Sequence, residues 1–233
     1  MTVEHDGVQV EWFGYATVRL EGPSGTVVYL DPGRYGVLDD HRPEDGDLVC
    51  VTHDHHYDSK GIDRVAGEDV TVIVYEGVDA ANIDRDVRPV DDLPYEVRRI
   101  GEEARTTAAG VTIWSVPAYN EPGGPHSDAG GTPYHPKGFG VGYLLSIDGT
   151  TVFWPGDSDA LEGHRAIEAS ILLPPIGGAF TMDRHEAADL AEAIGPDLVV
   201  PVHYETFEAI EADAEAFAAD LEQRGISVAI ETP

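Results

Sequence analysis

Apolar residues along this chain fall in short runs bounded by Gly, Pro, Asp and Ser, the punctuation of strands rather than of long helices. Val8–Phe13, Thr17–Leu20 and Thr26–Leu30 are β-branched and aromatic, and Gly22-Pro23-Ser24-Gly25 supplies a turn between the last two. The third run ends in Asp31-Pro32-Gly33, where proline interrupts a ladder and leaves Asp31 at the strand tip. Val49–Thr52 reads as a buried strand, Ser59–Ala66 as a short helix and Val70–Tyr75 as another buried strand. Residues 84–107 are charged and weakly periodic, as short edge strands would be. Val111–Pro117 is a clearer strand, and residues 121–138, rich in Gly, Pro and His, form a long loop of the kind that walls a site.

Further along, Gly140–Ile147 and Thr151–Trp154 make a hairpin around Asp148-Gly149. Ser170–Leu173 and Leu198–Val202 are strands, and Ile226–Ile230 is expected to be a last one. Ala187, Leu190, Ala191 and Ile194 share one face of a helix over Asp183–Ile194, opened by Asp183 and Glu186 as a capping box. A final helix is expected over Thr206–Arg224, burying Phe207, Ile210, Ala214, Phe217 and Leu221, with Gly225 as its cap. Strands in runs with helices between and after them suggest an α/β (α+β) chain: two sheets face to face, helices outside. No linker or short repeat divides residues 1–233, so a single domain is expected.

Charge changes the picture. Asp and Glu number 44 against 14 Lys and Arg, a formal net charge of −30, with Lys60 and Lys137 the only lysines. The carboxylates are spread along the chain, which resembles the surfaces of salt-accumulating halophiles more than an acidic tail. Without a basic stripe, nucleic acid is a poor partner. No apolar run approaches a membrane span and the N-terminus lacks a signal pattern, so no membrane partner and a cytoplasmic location are expected by default. The single cysteine, Cys50, reads as a small core residue.

The chemistry gathers where the strand at Val49–Thr52 stops: His53, Asp54, His55, His56 and Asp58 follow at once. Imidazole and carboxylate bind Zn²⁺, Mn²⁺ or Fe²⁺, and a sheet rim holds such donors rigidly. Asn120, Asp157 and His203 stand at three other predicted strand ends. Two registers of the first cluster are open: one presents His53, His55 and Asp58, the other Asp54, His56 and Asp58. His5, His41, His164 and His185 lie in polar or helical contexts and read as surface residues.

The order Thr52-His53-Asp54-His55, Val116-Pro117-Ala118-Tyr119-Asn120 with His135-Pro136-Lys137-Gly138, Gly156-Asp157-Ser158-Asp159 and Pro201-Val202-His203-Tyr204 resembles the metallo-β-lactamase-fold hydrolases, in particular their lactonase-like branch. The likeness runs from Trp12 to His203. It implies a four-layer αββα sandwich with one or two metal ions, usually zinc, at one edge. The family motif H-x-H-x-D-H is met only in part, because Tyr57 stands at its Asp and Asp58 at its last His. Carried over residue by residue, the resemblance makes His53, His55, Asp157 and His203 metal ligands, with Asp58 as a substitute ligand and Asp157 bridging. His56, Asn120 and His135 would line the site; Asn120 stands where many relatives place His, and His126 or His135 could swing in, or His135 could only brace the loop. The implied reaction is hydrolysis of a small ester, lactone or phosphoester by metal-activated water, with Asp157 or Asp58 taking its proton. A homo-oligomer is compatible with this reading. The departures at Tyr57 and Asp58 leave a second one open: a degenerate binding protein with a vestigial site.

Overall fold

The computed structural model describes residues 3–231. The first sheet has seven strands in sequence order: β1 (Val3–His5), β2 (Val8–Gly14), β3 (Thr17–Glu21), β4 (Val27–Leu30), β5 (Gly46–Val51), β6 (Ala66–Tyr75) and β7 (Glu96–Ile100). β1 to β4 are antiparallel, whereas β4 to β7 run parallel. The second sheet holds β8 (Arg105–Ala108), β9 (Val111–Ala118), β10 (Gly140–Ile147), β11 (Thr150–Trp154), β12 (Ile171–Leu172) and β13 (Leu198–Val199). Its members are antiparallel from β8 to β11 and parallel from β11 to β13. Helices α1 (Ser59–Val65), α2 (Arg184–Ile194) and α3 (Ala214–Gln223) flank the sheets, and α2 packs on α3. This is the expected sandwich, and the charged stretch 84–107 supplies one edge strand to each sheet. Among the described residues no helix is long and apolar enough to cross a membrane.

Strands buried on both faces explain the continuous apolar runs: every residue of β4 and the last four of β5 are buried. Between them, β4 and β5 deliver Asp31 and Thr52 to one rim. The two sheets are stitched together there. His53 bridges to Gly140, Val141 N–H donates to Thr52 O at 3.2 Å, and the Tyr143 hydroxyl donates to Val51 O at 2.8 Å. Gly140 permits this approach, since a Cβ there would stand 2.9 Å from His53 Cβ. On α2, Asp183 and Glu186 form the capping box and Gly195 closes the helix in the left-handed region.

Three expectations are corrected. The helix expected over Thr206–Arg224 is a 3₁₀ turn, Glu208–Ile210, followed by α3, because Phe207 is extended and Asp213 caps a fresh start by accepting from Ala216 N–H. Ile226–Ile230 is not a strand; only Val228 pairs, in an isolated bridge to Val199. His164 is buried rather than on the surface, its Nε2 lying 2.8 Å from Pro117 O.

Candidate metal centre

The strand β5 ends one residue before Thr52, and the chain then turns sharply. The His53 carbonyl accepts from the N–H of both His56 and Tyr57. That turn replaces the two-residue alternation of a strand and brings His53, His55 and His56 to the same side. Asp157 meets them from the end of β11. Its carboxylate is fixed by the turn Pro155-Gly156, where Gly156 has φ +68 and a Cβ would meet Val141 O at 2.7 Å. His203 arrives after β13 with φ +58, an unusual conformation for a non-glycine residue, held by its N–H donating to Tyr15 O at 2.7 Å. His135 comes from the long loop.

The five imidazoles divide between the two oxygens of Asp157. Oδ1 lies 3.4 Å from His56 Nε2 and 3.3 Å from His203 Nε2. Oδ2 lies 3.6 Å from His53 Nε2 and 3.3 Å from His135 Nε2, and His55 Nδ1 is 3.2 Å from that same His135 nitrogen. Donor atoms of His53, His55 and His135 fall within 4.8 Å of one another, as do those of His53, His56 and Asp157. His55 is the exposed member; the other five are buried.

Four of these atoms, His53 Nε2, His56 Nε2, His203 Nε2 and Asp157 Oδ1, are buried without a hydrogen-bond partner among the described residues. Leaving a polar atom so costs about 1–3 kcal/mol each. Four such costs in one place are relieved together if divalent ions sit between the nitrogens and the carboxylate, so the donor set fits a metal site. Protonation agrees. Burial, reinforced by neighbouring imidazoles, holds His53 well below the usual histidine range and brings His55 down to about 4. Burial works against the Asp157 carboxylate, but the imidazoles of His203 and His56 outweigh it and keep the group ionised. Burial acts to lower His56 too, yet Asp157 and Asp31 together hold it above its ordinary value.

A surrounding set of groups orients the donors. Asp31, fully buried at the tip of β4, has its Oδ2 3.0 Å from His56 Nδ1 and accepts there from Trp154 Nε1–H and the Thr52 hydroxyl. Its Oδ1 accepts from Thr52 N–H, and Thr52 Oγ1 in turn lies 2.9 Å from His53 Nδ1. On the loop side, Asn120 Oδ1 accepts from His135 N–H and lies 3.2 Å from His135 Nδ1. Asn120 Nδ2–H donates to Asp159, whose carboxylate also accepts from Glu121 N–H and lies 2.7 Å from His126 Nδ1. Carboxylate or carbonyl partners of this kind set the tautomer and direction of metal-binding imidazoles.

Against the sequence reading, His53, His55, Asp157 and His203 converge, and His56 and His135 lie within the cluster rather than beside it. Asp58 does not reach it: its carboxylate caps α1, accepting from the N–H of Lys60 and Gly61. Asp54, the alternative from the second register, accepts instead from Asp79 N–H. Tyr57 is buried, its hydroxyl donating to Arg88 O. Asn120 braces His135, and His126 pairs with Asp159. Sequence reasoning missed Asp31, Thr52 and Asp159 as orienting groups, although an acid ending a wholly apolar strand was a visible signal for the first.

A cavity of about 240 Å³ opens over the cluster, lined by His55, His135 and Asp157 together with Tyr15, Arg34, Tyr35, Tyr134, Phe180 and Phe207. A larger hollow of about 480 Å³, beside Trp114 and Leu161, holds none of the clustered donors.

Residues 9–203 match the beta-lactamase superfamily domain. A UPF0173 metal-dependent hydrolase of Methanosphaerula palustris is 33% identical over 93% of this chain and 92% of its own length. One from Thermococcus kodakarensis is 34% identical over 90% of each. Among solved structures, a Parabacteroides distasonis protein has a TM-score of 0.74 at 21% identity, covering 99% of this chain and 97% of its own. A metallo hydrolase from Ignicoccus hospitalis has a TM-score of 0.71 at 24% identity, covering 97% and 95%; at such identities the likeness is one of fold. Sequence and fold agree with the geometry at the sheet rim: the chain belongs to the UPF0173 metal-dependent hydrolases of the beta-lactamase superfamily.

Proposed function

We propose that the chain is a dinuclear metal hydrolase acting on a small ester, lactone or phosphoester. His53, His55, His135 and Asp157 would hold one ion, and His56, His203 and the same carboxylate would hold the other. The arrangement of imidazoles on both oxygens of one buried carboxylate carries this reading. Mixed imidazole and carboxylate donors suit zinc, and equally Mn²⁺ or Fe²⁺. Bound there, such ions supply Lewis-acid polarisation of a carbonyl or phosphoryl oxygen and raise the acidity of water.

The chain's own residues do the rest. Asp157 stays ionised and fixes the spacing of the two donor groups. Tyr15, its phenol held protonated chiefly by burial and then by Asp157, lines the cavity as a neutral hydroxyl and packs its ring 4.3 Å from His203. The cavity volume limits the substrate to a small molecule. Asp58, expected as a proton acceptor, is engaged at the helix cap and takes no part. The spread surface acidity supports a protein that works in concentrated salt.

The alternative of a degenerate binding protein drew on Tyr57 and Asp58 standing where metal ligands were expected. His56 answers that loss with an imidazole of its own. Metal content by mass spectrometry, followed by a lactone, phosphodiester and thioester panel on wild type, His53→Ala and His203→Ala, tests the reading. Bound metal with turnover that both variants lose is expected. Metal-free protein without turnover would overturn it.

A further inference from the structure

Carboxylates outnumber cations so heavily here that most cations are neutralised. Of the 14 Lys and Arg, nine pair with a carboxylate within 4.0 Å: Arg19, Arg42, Lys60, Arg64, Arg88, Arg98, Arg99, Arg165 and Arg224. Arg85 donates to three backbone carbonyls, Arg105 and Lys137 lie over aromatic rings, and Arg184, at the start of α2 and away from the cavity lining, has no ion pair among the described residues. Arg34 is different. It lines the cavity over the metal cluster, and among the described residues no carboxylate lies within ion-pair distance of it. Among those residues its Nη2–H donates only to the Tyr35 hydroxyl at 3.2 Å and its Nε is buried without a partner, while its guanidinium lies 4.4 Å from the centre of the Tyr35 ring.

An unpaired guanidinium N–H is costly to bury and is a ready bidentate donor to carboxylate or phosphate. Its location matters as much. The long-range field of a chain at −30 repels anions, so an anionic ligand needs a local, unneutralised cation at the point of binding. The walls around Arg34 are aromatic: Tyr15 and Phe207 each pack 4.8 Å from Tyr35, and Tyr134 packs 4.9 Å from Phe180. Tyr35 is half exposed at the mouth and has φ +61, a conformation that non-glycine residues keep only when the surroundings enforce it.

We propose that Arg34 recognises an anionic group on the substrate, so that the preferred substrate is a small ester, lactone or phosphoester carrying a second carboxylate or phosphate on a flat or apolar body. The body lies between Tyr15, Tyr35, Phe180 and Phe207, with the anion on Arg34 and the hydrolysed group toward Asp157. This rests on the hydrolase reading above and names its substrate class.

The test uses the metal-loaded protein and matched pairs of probes: 4-acetoxybenzoate against its neutral methyl ester for turnover, and benzoate and phenylphosphonate against benzamide for binding by calorimetry. Wild type should favour the anion of each pair, and Arg34→Gln should shrink that preference by about 10- to 100-fold, the range for a charge-assisted hydrogen bond. Arg34→Lys, which keeps the charge and loses the fork, should fall between them. Equal use of both esters by wild type, or anion affinity unchanged in Arg34→Gln, overturns the proposal, the latter by showing that the anion sits on the metal alone. Binding decides the matter even if neither ester is turned over. Protein that binds no metal contradicts the hydrolase reading instead, and the calorimetry still judges Arg34.

Discussion

Around Asp157, the Oδ1 side and the Oδ2 side hold their imidazoles by different means. On the Oδ1 side, His56 and His203 are buried, and His56 is held by Asp31, itself fixed by Thr52 and Trp154 from both sheets. On the Oδ2 side, His53 shares that frame through Thr52, but His55 is exposed and His135 is delivered by a loop through Asn120. One half is thus built into the sheet rim, and the other is completed by a segment outside both sheets. A site can combine a preorganised floor with a wall that faces the substrate.

Removing what the halves share should have the largest effect. Asp157→Asn is expected to lower metal content on both sides and to cut turnover by roughly 10³-fold or more, since metal activation is worth several kcal/mol. Loss of a single ion would show that the carboxylate does not join the halves. Asp31→Asn strikes the buried frame, and a loss of about 10- to 100-fold in metal affinity is expected, as for other partners of metal-binding imidazoles. Asn120→Ala should act in the same range on the loop side alone, read as one equivalent of weakened metal.

Acid should separate the halves more gently. Asp157 and Asp31 hold His56 above its ordinary value against burial, so a proton competes for it first as pH falls. Burial and like charges hold His55 down at about 4 and His53 lower than usual, so protons compete there only in stronger acid. Metal content measured against pH should therefore fall in two steps, the His56 side first. A single step, or the reverse order, contradicts the assignment. The smallest effect belongs to Asp58→Ala: metal content unchanged, and stability lower by about 1 kcal/mol in a denaturant melt from the lost helix cap.

The comparison also explains what could be read from sequence. Strand periodicity locates the rim, because β4, β5, β9 and β11 are fully or alternately buried and end abruptly, so Asp31, His53, Asn120 and Asp157 are legible as tip residues. Beyond the tips, periodicity stops. The turn after His53 places His56 with His53 and His55, which no two-residue register foresees. Asp58 is followed by Ser59-Lys60-Gly61 and opens a helix, so its capping role is legible in the sequence, whereas the family motif points it at the metal. His135 and Asn120 meet through a loop whose path rests on hydrogen bonds from Asp159. The broken final helix has a like cause: the apolar spacing spans Phe207 to Leu221, and the break lies in backbone conformation at Phe207 and the cap at Asp213.

Crystals of the zinc-loaded protein, with data collected on either side of the zinc absorption edge, give the most direct measurement. Two anomalous peaks are expected, one among His53, His55, His135 and Asp157, the other among His56, His203 and Asp157. A peak at Asp58, or none beside Asp157, would contradict the assignment.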